Sequence, residues 1–302
     1  MERASTGRAS GVAWLCFLAA TSLLFASPAD AQRLLQLDPR VSAASEAVIT
    51  GSAAVFWNPA SIMVLERRAE ATVIEVRAPE STGLGGMAAS VSVRLDSLTA
   101  VALGFVHVGI DGIERTSESP LPGQAEGTFD LAEDVLSAAV ARQVREGLVF
   151  GLGLHYIRAA DVDRIDDAFE LGAGVDYRSS LPLTPTFAFA MRLEEDRAAW
   201  LAGVELTPIR EPDGEWVVTA SYGAAGGGHR RDVGHRVAAG AHWNERIAVS
   251  AGFAGDPDGD GVSWAPVASA ELRLSRYGLG VLRESLPNDF GAVYTLRFTI
   301  QF

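Results

Sequence analysis

Three aspartates stand at alternate positions in the stretch DPDGDG: Asp256, Asp258 and Asp260. Calcium loops place carboxylates in this way, because a hard cation is satisfied by several oxygens converging from one turn. An EF-hand loop would also need Glu at its twelfth position, and Val267 stands there. A solvated acidic hairpin loop is therefore the favoured reading, with a calcium site on the three aspartates as its alternative. The histidines, His107, His155, His229, His235 and His242, are scattered. They form no H-E-x-x-H and face no paired cysteines, so a metal enzyme is not expected. No G-x-S-x-G occurs, and no serine partner for His235 can be named. AAGGGH is not followed by a helical pattern and so does not make a phosphate cradle. The sequence points to a protein that is not an enzyme and needs no cofactor.

A larger set of charges is spaced two residues apart within apolar segments. Arg94, Arg178, Arg192, Arg236, Arg273 and Arg297 fall on one face of their segments, with Glu170, Asp176, Glu194, Glu205 and Glu271. Charges of both signs on one face can form an ion-pair network or line a polar conduit. Many of their neighbours on that face are Gly, Ala or Ser, which leaves room for a plug or a ligand.

The elements that carry these charges alternate in polarity with a period of two. Leu148, Phe150, Leu152, Leu154 and Tyr156 oppose Val149, Gly151, Gly153 and His155, and the pattern recurs along the chain. Such alternation marks strands whose two faces meet different media. It predicts about fourteen strands of about ten residues from position 70 to the end. The connections also alternate, with mostly short turns on one side and longer acidic or Gly-rich loops on the other. Trp200, Trp264, Tyr156 and Tyr222 fall at the long-loop ends; Trp216, Trp243, Tyr177, Tyr277 and Tyr294 are read at the short-turn ends. Amphipathic rings at two levels imply two membrane interfaces. The expected fold is all-β, an outer-membrane barrel of about fourteen antiparallel strands over residues 67–302.

The last eight residues, TLRFTIQF, alternate without interruption. In a soluble sheet they would be an adhesive edge; in a closed barrel they pair with the first strand. Tyr294, Phe298, Ile300 and Phe302 make an apolar row that resembles the signal read by barrel-assembly machinery. At the other end, Arg3 and Arg8 precede an apolar run to Ala26 and an A-x-A site at Ala29–Ala31. A cleaved signal peptide over residues 1–31 is expected, and with it export to the outer membrane. It contains Cys16, the chain's single cysteine, so no disulfide framework is expected. The net charge of −13 argues against a nucleic-acid partner.

Residues 32–66 do not alternate. They read as a short helix or coil and a turn, placed either in the lumen or at its mouth. Within them, Asn58, Pro59 and Ala60 stand in AVFWNPASI just before the barrel. This segment, the strand number and the terminus resemble the PorV/PorQ group of outer-membrane proteins, whose architecture is related to FadL-type transporters of long-chain fatty acids. Ser61 stands where that group more often has Gly. The resemblance implies a component of type IX-like secretion, with secretion-system proteins as partners. The alternative it implies is a transporter with a hydrophobic ligand. Ion pairs outnumber apolar residues on the inferred inner face, which favours secretion. Outer-membrane lipid is a partner in either case.

Overall fold

The computed structural model describes residues 42–114, 127–161, 164–181, 183–194, 197–211, 215–227, 230–258, 261–285 and 291–302. The expected signal peptide lies outside the described residues. Fourteen antiparallel strands form one closed barrel. They are β1 Ala69–Arg77, β2 Leu84–Arg94, β3 Thr99–Glu114, β4 Thr128–Arg145, β5 Leu148–Asp161, β6 Arg164–Arg178, β7 Thr186–Glu194, β8 Arg197–Arg210, β9 Trp216–Gly227, β10 Arg230–Trp243, β11 Ile247–Asp258, β12 Gly261–Leu274, β13 Tyr277–Ser285 and β14 Ala292–Gln301. Each pairs with its neighbours in sequence, and β1 closes on β14 with Val73 opposite Phe298. At the seam Ala69 and Phe302 exchange backbone hydrogen bonds of 2.9 and 3.2 Å. No edge is left unpaired, which answers the aggregation hazard posed by the last strand.

Alternation places one set of side chains outside and the other inside. The outer set forms continuous rows across neighbouring strands: Val101, Val140, Leu152, Ala173, Met191 and Trp200 are successive partners from β3 to β8. Leu152 and Phe169 are more than 60% exposed on this face. An apolar surface so large and unbroken is what hydrocarbon, rather than water, would cover.

Two girdles of rings bound this surface. Where β1 starts and β14 finishes, the near end, Trp216 stacks on Trp243 and Tyr177 on Phe187, and the Arg145 guanidinium lies 5.9 Å from the Tyr177 ring centre. At the opposite, far end, Tyr156 meets Phe169, and His235 lies between Tyr222 and Trp264. Phe169 and Tyr177, at the two levels of β6, bound nine residues, the number with which a tilted strand crosses a bilayer core, about 9–11. Tyr294 belongs to the far girdle, contrary to the sequence reading. The fourteenth strand runs from far end to near end, so a residue near its start, paired with Arg77 and Arg283, lies at the far level.

The far-end connections also differ from expectation. Three of the acidic and Gly-rich stretches are strand over their described residues, not loop: Asp161 pairs with Arg164, Gly227 with Arg230 and Asp258 with Gly261. Polar hairpins continue the ladder beyond the apolar band, where no two-sided environment remains to mark them as strands. In β8, Pro208 offers no N–H, and the pairing with β9 shifts register between Leu206 and Ile209.

Candidate functional site

The interior of the barrel is occupied by the chain itself. Residues 42–66 cross the lumen as three short 3-10 helices, Glu46–Val48, Ser52–Phe56 and Pro59–Met63, and every residue from 51 to 63 is buried. The described part of the segment packs against the inward side of β1–β8. Ser45 caps the first helix by accepting from the Ala47 N–H, and Asn58 caps the third by accepting from the Ala60 N–H. Pro59 suits the first helical position, where its missing N–H costs nothing. The Asn58 amide also donates to the carbonyls of Ala47 and Val175, at 3.2 and 3.3 Å. Asn58, Pro59 and Ala60 thus make one turn that ties two plug helices to β6.

The small inward residues are the mould for this plug. A Cβ on Gly151 would stand 2.3 Å from the backbone of Pro59 and Ala60, and one on Gly174 would stand 2.1 Å from the Asn58 oxygen. Gly104 makes room for Val55 and Phe56, and Gly223 for Ser45. Around them, Val55, Phe56, Ile62 and Met63 pack against Ile74, Val76, Val106 and Val108 of the wall in one apolar cluster.

The predicted charges that are described face inward, and four of them, Arg94, Asp176, Arg236 and Arg273, contact the plug. Arg94 donates to the carbonyls of Met63 and Leu65. Asp176, almost wholly buried, accepts from the Ser61 hydroxyl at 2.9 Å and lies 3.5 Å from Arg178. Arg236 is buried between Glu284, at 3.0 Å, and Glu46 of the plug, at 3.4 Å. Arg273 bridges Glu271 and the plug residue Glu66, and Arg297 completes the cluster on Glu271. Arg192 lies 3.9 Å from Glu170. Glu205 faces inward on β8, next in register to Ser221. The side chain of Glu194 lies outside the described residues.

One expectation changes with this geometry. The interior is not dominated by ion pairs: those that hold the plug frame the apolar cluster. The sequence analysis missed that cluster because nine of its members come from the plug, which does not alternate. It also missed Ser52, which donates to Thr72 at 2.8 Å and lies against Glu70. A Ser137–His155 pair, with 2.8 Å between hydroxyl and ring nitrogen, is likewise new. Both are sealed inside the wall, so the pair is a satisfied polar contact without substrate access.

Of the tentative calcium ligands, Asp256 and Asp258 lie in β11, not in a loop. Their side chains, and Asp260 altogether, lie outside the described residues. Among the described residues no group of three His, Cys, Asp or Glu could hold a metal ion. Of the apolar terminal row, Tyr294, Phe298 and Phe302 are exposed on the outer face of the closing seam, with Ile300 beside them.

No family model matches this chain, and no curated protein matches it. Solved structures do. The toluene transporter TbuX of Ralstonia pickettii is 11% identical with a TM-score of 0.58, covering 88% of this chain and 99% of that one. The monoaromatic hydrocarbon channel CymD is similar at 11% identity and a TM-score of 0.58, covering 88% and 98%. A FadL homologue of Pseudomonas aeruginosa is 13% identical with a TM-score of 0.53, covering 86% and 96%. The chain shares its fold with FadL-type outer-membrane barrels.

Proposed function

We propose that this protein is an outer-membrane barrel that passes small apolar molecules across the membrane, with residues 42–66 as the gate. The apolar cluster at the plug–wall boundary carries the reading. A water-filled pore would be polar there, whereas Val55, Phe56, Ile62 and Met63 against Ile74, Val76 and Val106 offer a hydrocarbon-like contact once the plug shifts. The likeness in fold to hydrocarbon channels and a FadL homologue supports it.

Secretion has less support. Its motif, Asn58-Pro59-Ala60, has a complete packing role in capping a plug helix. In the transport reading a side exit would open between β9 and β10, whose pairing shifts register between Arg230 and Gly234. Beside the shift, a cavity of about 20 Å³, room for one water, touches inward Arg236 and Glu46 and outward His235. Small residues, Gly223, Ala224, Ala225 and Gly234, line it.

The outward row of Tyr294, Phe298, Ile300 and Phe302 is, in the same reading, what the assembly machinery recognises. The near end, with both ends of the barrel, faces the periplasm.

Uptake of labelled monoaromatic hydrocarbons and fatty acids tests the function, in cells that lack their own carriers. Expression should raise uptake of at least one class above the empty-vector level. A disulfide between Ala224→Cys and His235→Cys, direct partners across β9 and β10, should block it until reduced. Folded protein in the outer membrane with no uptake of either class would overturn the reading.

A further inference from the structure

The outer face of the seam carries two cations at the level of the far girdle. Arg77, Tyr294 and Arg283 are successive partners on β1, β14 and β13 and form one outward row at the far girdle. The two arginines are about 10 Å apart at Cα, two strand spacings, with the phenol between them. A cavity of about 520 Å³ opens there, lined by both arginines, Tyr294, Ser285, Pro79 and Gly291.

The next rows toward the near end are different. Leu296 and Val281 form the second, with Glu75, and Val73, Phe298 and Leu279 the third. They line a second, mainly apolar groove of about 670 Å³ that extends over β12 and β11 to Leu272 and Ile247, with Glu75, Glu271 and Arg297 also in its lining. A cationic row at the headgroup level, directly above an apolar groove, is the outline of a lipid.

We propose that this seam binds one phosphorylated lipid of the far leaflet, its phosphate between Arg77 and Arg283 and an acyl chain in the groove below. The charge pattern identifies the headgroup. Guanidinium forks match phosphate oxygens in pairs, and the Tyr294 hydroxyl can donate a further bond. Arg77 now turns to Glu75, 2.6 Å away, and Arg283 donates to the Ser285 hydroxyl at 3.3 Å. Both contacts lie within two residues on the same strand and are exposed, so a phosphate displaces them at little cost. The Glu75 carboxylate then acts as the competitor for Arg77. The inference rests on the membrane placement proposed above but not on what the barrel carries.

Native mass spectrometry in neutral detergent tests it, with diphosphoryl lipid A as the probe. Wild-type protein should form a one-to-one adduct. The double variant Arg77→Gln/Arg283→Gln should bind at least about tenfold more weakly, the loss expected for charge-assisted contacts. Glu75→Gln should bind more tightly, a gain that a folding defect would not produce. Phosphatidylcholine, equally apolar but without net negative charge, should compete poorly.

Equal adducts from the wild type and the double variant would overturn the proposal. So would displacement of the lipid by millimolar inorganic phosphate, which would mark a site for free anion. Uptake assays read transport and the mass spectrum reads lipid, so either idea can fail alone.

Discussion

At the residue scale, the interior is specified by where side chains are missing. Gly151 and Gly174 are not there for backbone freedom; neither has a positive φ. They are there because Pro59 and Asn58 occupy the space of a Cβ. Gly151→Val should therefore overpack the third plug helix and lower stability by about 1–3 kcal/mol, read from the urea midpoint of the refolded barrel. A variant as stable as the wild type would show that the plug yields freely at this contact. Arg236 makes the opposite kind of contact, a buried cation between a plug and a wall carboxylate. Arg236→Ala should cost about 3–5 kcal/mol, because it withdraws the cation from two carboxylates in a mostly dry site. A loss below about 1 kcal/mol would mean that water already screens them. The sequence showed that these positions face inward. It could not show which inward residue meets which plug residue, because those contacts join positions far apart in the chain, such as Asn58 and Val175.

At the element scale, strands were legible and their far ends were not. The period of two is enforced only where one face meets an apolar medium and the other does not. β7, Thr186–Glu194, alternates from end to end, with Phe187 and Leu193 exposed on its outward face. In β6 clean alternation starts at Ala168 while the strand begins at Arg164, because Asp167 puts a charge on the outward face between Ile165 and Phe169. Tyr294 was assigned to the wrong girdle for a related reason: strand direction, not distance from the chain's end, sets the level. The apolar band gives a test at this scale. Leu152 is mid-strand, outward and exposed, in a row of apolar partners. Leu152→Arg should cost about 2–4 kcal/mol in lipid vesicles and little in a water-soluble sheet. Unfolding in vesicles at the wild-type denaturant midpoint would argue against a lipid-facing wall.

At the scale of the whole molecule, a closed ladder surrounds a plug that is part of the same chain. Closure leaves no strand free to fray, so unboiled protein should stay folded in dodecyl sulfate and migrate apart from boiled protein, with β-rich circular dichroism. A helix-rich spectrum from folded protein would contradict the architecture. The plug was half legible. Its lack of alternation set it apart from the barrel, and small inward residues left room for it. Its apolar contacts with β1–β5 were hidden, because on these strands Ile74 and Val73 are both apolar while only the first faces the lumen.

If residues 42–66 seal a membrane barrel, their removal must open it, and ion conductance across a planar lipid bilayer reads that opening. The measurement compares the intact protein with a variant lacking those residues, each first shown to be folded by its mobility on an unboiled gel. The intact protein should insert without a steady ionic current, and the deletion variant should open a persistent pore. Equal currents from the two, or a large steady current from the intact protein, would contradict the account.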